Sequence, residues 1–463
     1  MKIVFITPAA FIRRLRPYQI ASSLYGHTNA ITGPLILGGI LKRAGHEVEV
    51  YEELYTKIDY SKIMDADVYC FSIMTSNAPR GYSLADMLKK ETGARIIMGG
   101  MHPTAMPEEA LQHADQIISG EGEEIILDII EGRITDKIVK GKCIKNLDEV
   151  PFPDYSILKT PCETANIMSS RGCPFSCSFC TTSRMFYPYR QRSVDSVIAE
   201  IRYYKELGFE YLNFEDDNFT ANPKRAKEIC RRMIDENLTF KETFFFGRTD
   251  MAKDEELLDL LEKAHLSRVL IGIESLNQDA LDEINKHQKI EDIENLAKAL
   301  SKHKIRLIAS IVLGLDSDTK EDIKRSVDFA KKINAYQLQP AVLTPFPGTE
   351  LFNEYREGGR MLTEDWSVFD MINVTFWPKN MSPWELQKEF FKAARRFYSL
   401  PASFRIMKIF GVGYGMRRFG LWISILFGLF FCYLSASKFK GSHYYKIKHI
   451  DEYETPLKGG LHT

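Results

Sequence analysis

The sequence lacks an excess of charge of either sign, with 61 Lys and Arg against 62 Asp and Glu in 463 residues. No basic field collects a polyanion, so nucleic acid is not an expected partner. Its start does not read as a signal sequence: the apolar run in MKIVFITPAAFIRRLR is short and meets Arg13, Arg14 and Arg16 at once, so a first β-strand and a cytoplasmic chain are expected. Cysteine is scarce, with 8 in all. In a reducing compartment disulfides are not expected, and cysteines that lie close together point to metal binding or redox chemistry. Apolar content of 44% with 27% charged residues is ordinary for a folded soluble protein, and the length suggests two or three domains.

Three of the few cysteines are crowded into SSRGCPFSCSFCTTS, as Cys173, Cys177 and Cys180. Gly172, Pro174 and the serines mark a loop rather than a core segment. A structural zinc site wants four protein ligands, and no histidine is near in sequence to complete C-x3-C-x2-C, although a distant fourth ligand would allow zinc. A [4Fe-4S] cluster suits the count better, because three thiolates hold three irons and leave the fourth open.

The loop, with Phe179 just before its last cysteine, resembles the signature of the radical S-adenosylmethionine enzymes. The resemblance implies that Cys173, Cys177 and Cys180 ligate the cluster and that the backbone at Phe179 lies against the adenine. It also implies that S-adenosylmethionine chelates the open iron and is cleaved to a 5′-deoxyadenosyl radical. An external electron donor such as flavodoxin or ferredoxin is implied with it.

Downstream, β-rich runs alternate with amphipathic helices, the pattern of a parallel βα repeat. TANIMSS, FEYLNFEDDNFTANP, FFFGRTD, RVLIGIESLN, RLIASIVLGLD and AYQLQPAVLTPFPGT are six strand candidates, and RSVDSVIAEIRYYKELG is a helix with a glycine stop. By the family analogy they form a partial, TIM-like (β/α)6 barrel over residues 163–360. Ligands gather at the carboxyl ends of such strands. There Glu215, Asp216 and Asp217 offer negative charge to the methionine ammonium or, as a lesser option, to magnesium; equally, Asp217 begins a turn and Asn222 caps the next helix. The family places the segment with Glu274 and Ser275 near ribose and carboxylate. Arg248 suits either a cofactor carboxylate or a surface ion pair, and Gly314 would let the backbone approach the adenine.

Residues 1–145 read as a separate doubly wound, Rossmann-like unit, in which KIVFITP, HEVEVYEE, ADVYCFSIM, ARIIMGG and QIISGEGEE are strands. Ligands of such sheets sit beyond the carboxyl ends of the strands, here marked by Gly99, Gly100, His102, Gly120 and Gly122. The layout resembles the cobalamin-binding domain of one radical S-adenosylmethionine class, which includes C-methyltransferases, the anaerobic magnesium-protoporphyrin ester cyclase and hopanoid-modifying enzymes. These five residues are therefore candidate cobalamin contacts. No D-x-H-x-x-G occurs in residues 1–150, so the usual histidine ligand to cobalt is missing. Members of this class commonly lack it, and some related lipid enzymes bind no cobalamin.

A proline-rich linker spans 146–162 and a mostly helical region 361–463. Within the latter, Ser382-Pro383 with Glu385 reads as a helix start. Residues 419–437 carry no charge and reach the length of a membrane span, with basic flanks on both sides. Such a run spans a bilayer, lies on a membrane surface or partner, or packs inside the domain.

The sequence reads as a cobalamin-dependent radical S-adenosylmethionine enzyme that methylates an unactivated carbon of a hydrophobic substrate, with a lipid and membrane association suggested by the C-terminal run. The alternatives are radical cyclisation, coupling or oxidation of a lipid or tetrapyrrole, and a non-catalytic iron-sulfur or zinc protein.

Overall fold

The computed structural model describes residues 1–10, 27–54 and 57–452, which leaves Arg13, Arg14, Arg16 and the end of the polar tail outside the described residues. Its first sheet contains β1 (Lys2–Thr7), β2 (Glu47–Glu52), β3 (Val68–Ser72), β4 (Arg95–Gly99), β5 (Gln116–Ser119) and β6 (Ile138–Lys140). All pairs are parallel, in the order β2-β1-β3-β4-β5-β6. This order reverses between β1 and β3, and a doubly wound sheet opens its ligand crevice at such a point. Near-continuous apolar runs such as VYCFS suit strands covered on both faces by helices, among them α1 (Thr32–Arg43) and α2 (Ala78–Thr92). The three-residue β6 was not among the strands expected from sequence.

The second sheet holds β7 (Thr164–Ile167), then, beyond a short hairpin of β8 (Ser170–Arg171) and β9 (Arg190–Gln191), β10 (Tyr211–Phe214), β11 (Glu242–Gly247), β12 (Arg268–Glu274), β13 (Arg306–Leu313) and β14 (Gln337–Val342). It is parallel and open, ordered β14-β13-β12-β11-β10-β7. Between its strands run α3 (Val194–Glu206), α4 (Pro223–Asp235), α5 (Glu255–Lys263), α6 (Ile290–Lys302) and α7 (Lys320–Lys332). Local chemistry starts several of them. Ser193 caps α3 and Asn222 caps α4, each accepting from a backbone N–H in the first turn.

Period-two alternation divides the barrel strands. Phe245, Val269, Ile271, Ala309 and Ile311 are buried toward the helices, while Phe244, Phe246, Leu270, Ser310 and Val312 are half-buried on the inner face. At the amino ends of these strands Glu242 pairs with Arg268 and Arg306.

The C-terminal region contains α8 (Pro383–Phe397), α9 (Leu400–Phe410), α10 (Val412–Lys438) and α11 (His443–Lys448). Ser382 and Glu385 form the capping box expected for α8. This helix lies along the edge strand β14, where the Tyr398 hydroxyl donates to the Leu338 carbonyl at 2.8 Å. The apolar run of α10 is not core, because only 17% of its most apolar window is buried.

Candidate active site

The cysteine loop leaves β8 through Gly172, whose φ of 79° and whose missing Cβ, otherwise 2.5 Å from the Phe186 carbonyl oxygen, leave room only for glycine. Its turns are pinned from a distance. Ser178 N–H donates to the Ile284 carbonyl at 3.3 Å, and the Asn285 side chain donates to the Ser176 carbonyl at 3.3 Å. All three thiols are free, Cys177 buried and Cys173 and Cys180 half-buried. Burial raises Cys173 and Cys177 above the ordinary thiol value, while the cations Lys286 and Arg248 pull Cys177 the other way.

Around that loop the structure gathers some of the expected residues. Asp217 is near enough to Cys173 for its charge to raise that thiol, and burial pushes the Asp217 carboxyl up to about 6 against the Thr182 hydroxyl bond that lowers it. Arg248, at the end of β11, stacks 3.9 Å from the ring of Phe175 in the cysteine loop and donates to the Lys286 carbonyl at 2.6 Å. It is thus no surface ion-pair residue. Glu274 ends β12 in a left-handed conformation, φ 61°, where the register with β13 slips between Gly272 and Glu274. Bulges of this kind re-aim a side chain, and here the carboxylate turns over Gly272 to meet Lys286 Nζ at 2.6 Å. Lys286 and this pair were not found from sequence. Its motif, NKHQ, has no signal beyond a loop.

Other expected residues are turned elsewhere. Glu215 Oε2 accepts from Thr32 Oγ1 at 2.8 Å, so it reaches out of the barrel to the start of α1. Burial pushes Glu215 up to about 7 and its neighbour Glu52 up to about 8. Asp216 is fully buried beneath the cysteine loop and accepts from Ser169 N at 3.1 Å, from Ser169 Oγ at 2.7 Å and from Ser170 Oγ. Ser275 Oγ accepts from Asn277 N at 3.1 Å, a local cap. At Gly314, φ 93°, a Cβ would stand 2.6 Å from Leu386 of α8 and 3.1 Å from Phe376. The Cβ side of that backbone is filled by protein, because the C-terminal region closes on β13. Phe179 is half-buried against the barrel core.

At the first sheet, Gly100 and Gly120 are exposed beyond β4 and β5, beside Met74 beyond β3 and half-buried Gly99. Gly100, φ 105°, is required by the fold, since a Cβ would be 2.6 Å from the Ile73 carbonyl oxygen. Gly122 is buried against Leu37 and Ile118. His102 is fully buried. Its Nδ1 lies 3.4 Å from Thr75 Oγ1 and its Nε2 3.3 Å from Glu109, which also accepts from Trp366 Nε1 at 2.9 Å. Both ring nitrogens are engaged within the protein, so His102 is a packing histidine and is not presented to a corrin.

The donor set fits a cluster: three free thiols on a loop held from three sides. Among the described residues the one triad of donor atoms all within 4.8 Å of one another is Glu255, Asp259 and His303, on the outer helices.

Two stretches of the chain match known families, residues 167–330 the radical SAM superfamily and residues 20–130 the B12 binding domain. The protein is a radical S-adenosylmethionine enzyme with a B12-binding-type domain ahead of its barrel. It is 29% identical over 374 residues to the bacteriochlorophyllide d C-12(1)-methyltransferase of Chlorobaculum tepidum, covering 76% of this chain and 80% of that one. To the anaerobic magnesium-protoporphyrin IX monomethyl ester cyclase of Cereibacter sphaeroides it is 27% identical over 413 residues, covering 80% and 67%. The cobalamin-dependent radical enzyme OxsB, solved with aqua-cobalamin and S-adenosylmethionine, superposes with a TM-score of 0.66 over 99% of this chain and 75% of that one, at 14% identity. At that identity the likeness is one of fold.

Proposed function

We propose that the protein methylates an unactivated carbon of a tetrapyrrole, with a [4Fe-4S] cluster on Cys173, Cys177 and Cys180, S-adenosylmethionine, and cobalamin between its two sheets. The observation that carries the substrate class is the similarity, over most of the chain, to enzymes that act on bacteriochlorophyllide and magnesium-protoporphyrin. It supports a tetrapyrrole better than the lipid suggested by the C-terminal run. The half-open inner face of Phe244, Phe246, Leu270 and Val312 suits a flat apolar substrate. When bound, the cluster and S-adenosylmethionine supply a hydrogen-abstracting radical and cobalamin a transferable methyl group.

The chain's own part is placement. Arg248 and the Asn285 side chain hold the cysteine loop; Asp217 offers a carboxylate to an ammonium group beside it. The Glu274–Lys286 pair supplies buried, opposed charges next to Cys177. Gly99 and Gly120 leave the strand ends low, where a corrin would be accommodated. A cytoplasmic setting and a flavodoxin- or ferredoxin-type donor belong to the same proposal, supported by eight unpaired cysteines. A second reading, ring closure without methyl transfer, is favoured by the cyclase relative.

The test is anaerobic turnover of the reconstituted protein with S-adenosylmethionine and a magnesium-free or magnesium-bound chlorophyllide. Methylation yields both 5′-deoxyadenosine and S-adenosylhomocysteine with a heavier pigment; cyclisation yields 5′-deoxyadenosine alone. Cys173→Ala, Cys177→Ala and Cys180→Ala should each abolish 5′-deoxyadenosine, while Cys230→Ala retains the cluster chromophore. A wild-type protein that takes up zinc and no iron overturns the reading.

A further inference from the structure

From Phe390 to Ile450 the chain contains no Asp or Glu and eleven Lys or Arg, in a protein whose total charge is close to balanced. The same stretch holds the largest run of exposed apolar side chains. Phe427 and Phe430 are 66% and 67% exposed, and Phe431, Met416 and Val412 of α10 join Phe404 and Ile409 of α9 in facing outward. Helices α9 and α10 pack on each other, and α10 buries a narrow stripe of Leu429, Cys432, Ser435 and Ala436 toward α8 and α11. An apolar surface of this extent with cations at its margins is complementary to lipid with anionic head groups.

Length alone would let α10 cross a bilayer, since its 27 residues reach roughly 40 Å. Its ends exclude that. Near the start, Arg418 is buried and donates to the carbonyls of Tyr336 and, at 3.2 Å, Phe397, with its guanidinium 4.2 Å from the Phe397 ring. Past the end, Ser442 Oγ donates to the Ser435 carbonyl at 3.1 Å and His443 Nε2 lies 2.8 Å from the Val374 carbonyl oxygen, with α11 folded back on α10. A helix tied at both ends to one body cannot have those ends on opposite sides of a membrane.

We propose that α9 and α10 form an in-plane membrane foot, which seats the enzyme on an anionic bilayer with Phe427, Phe430 and Phe431 in the acyl boundary and does not cross it. The foot lies by the amino end of β14, where Phe410 and Tyr414 meet the Tyr336 ring edge-on, so it would hold the barrel at the surface in which a lipid-dissolved pigment is found. The seat itself does not depend on the pigment being the substrate.

The test is flotation of the full chain with sealed vesicles of phosphatidylcholine and phosphatidylglycerol in equal parts, and of phosphatidylcholine alone, at low and high salt. Wild type should float with the anionic vesicles at low salt, with at least a several-fold loss on pure phosphatidylcholine. Phe427→Ser/Phe430→Ser/Phe431→Ser, all at exposed positions, should stay at the bottom with an unchanged melting temperature and unchanged 5′-deoxyadenosine formation in detergent. Protease added outside the vesicles should cleave after Lys446 and Lys448. Wild type at the bottom, a triple variant that floats like wild type, or a C-terminal segment protected from protease each overturns the proposal. So does a wild-type dimer that the triple variant converts to monomer, since a second copy would then cover the face. Absence of 5′-deoxyadenosine formation in the wild type itself would instead count against the cofactor reading.

Discussion

Adjacent acids in the motif EDD have three different fates. Asp216 organises the start of the cysteine loop, accepting from Ser169 and Ser170, whereas the charge of Asp217 is felt at Cys173. Asp216→Ala should cost about 2–4 kcal/mol by leaving the serine donors buried without an acceptor. Asp217→Asn should change stability by less than about 0.5 kcal/mol and weaken S-adenosylmethionine binding. Urea unfolding beside equilibrium dialysis separates the two, and equal losses of stability would remove Asp217 from the site. The third acid, Glu215, sits with Glu52 at the junction of the two units. Glu52 has its folded value raised from 4.5 to about 8, so the stability this group contributes is complete below pH 4.5 and is lost as pH rises through 8. Glu52→Gln stays neutral throughout. The cofactor-free variant should therefore match wild type at pH 5 and exceed it by a few kcal/mol, on the order of 3, at pH 9 in denaturant titrations.

Elements show how much glycine was read for ligands and how much the fold needs. Gly100 lies where the chain after β4 wraps the end of β3, with the Ile73 N–H donating to the Gly99 carbonyl at 2.9 Å. Gly100→Ala adds a Cβ both at positive φ and against that backbone, and should cost about 2 kcal/mol or more. Gly99→Ala meets nothing closer than 3.6 Å and should fold normally, so cobalamin uptake by that variant reports on the ligand alone. If Gly99→Ala takes up cobalamin as wild type does, the shelf at β4 is a turn and no more. The strands and helices themselves were legible, because inner and outer faces alternate with period two and Ser193, Asn222 and Ser382 announce helix starts. β6 was not, since three residues carry no period.

The whole molecule is two parallel sheets with their carboxyl ends turned to a common junction. Glu121, just beyond β5, takes Arg190 at 2.7 Å and Arg171 at 3.2 Å, and Arg190 also reaches the Ile144 carbonyl. These guanidinium groups are buried. Breaking such a pair from one side strands a charge, so Arg190→Met should cost about 3–5 kcal/mol and loosen the two units from one another. Faster proteolytic cutting within 146–162, at unchanged secondary structure, is the measurement; cutting at the wild-type rate would show that the linker contacts alone hold the units together.

By itself the sequence determined what depends on near neighbours: the cysteine spacing, the βα alternation, the helix caps and the uncharged C-terminal run. Each is a pattern within a few turns of chain, so composition and period suffice to read it. Only the tertiary structure decided which side chains converge. Glu215 meets Thr32 across 183 positions, Glu274 turns back to Lys286, and Gly314 is roofed by Leu386. It also decided that an apolar run long enough to span a membrane is held at both ends. Contacts of that kind come from how faces pack, and one-dimensional periodicity says which face a residue is on, not what that face meets.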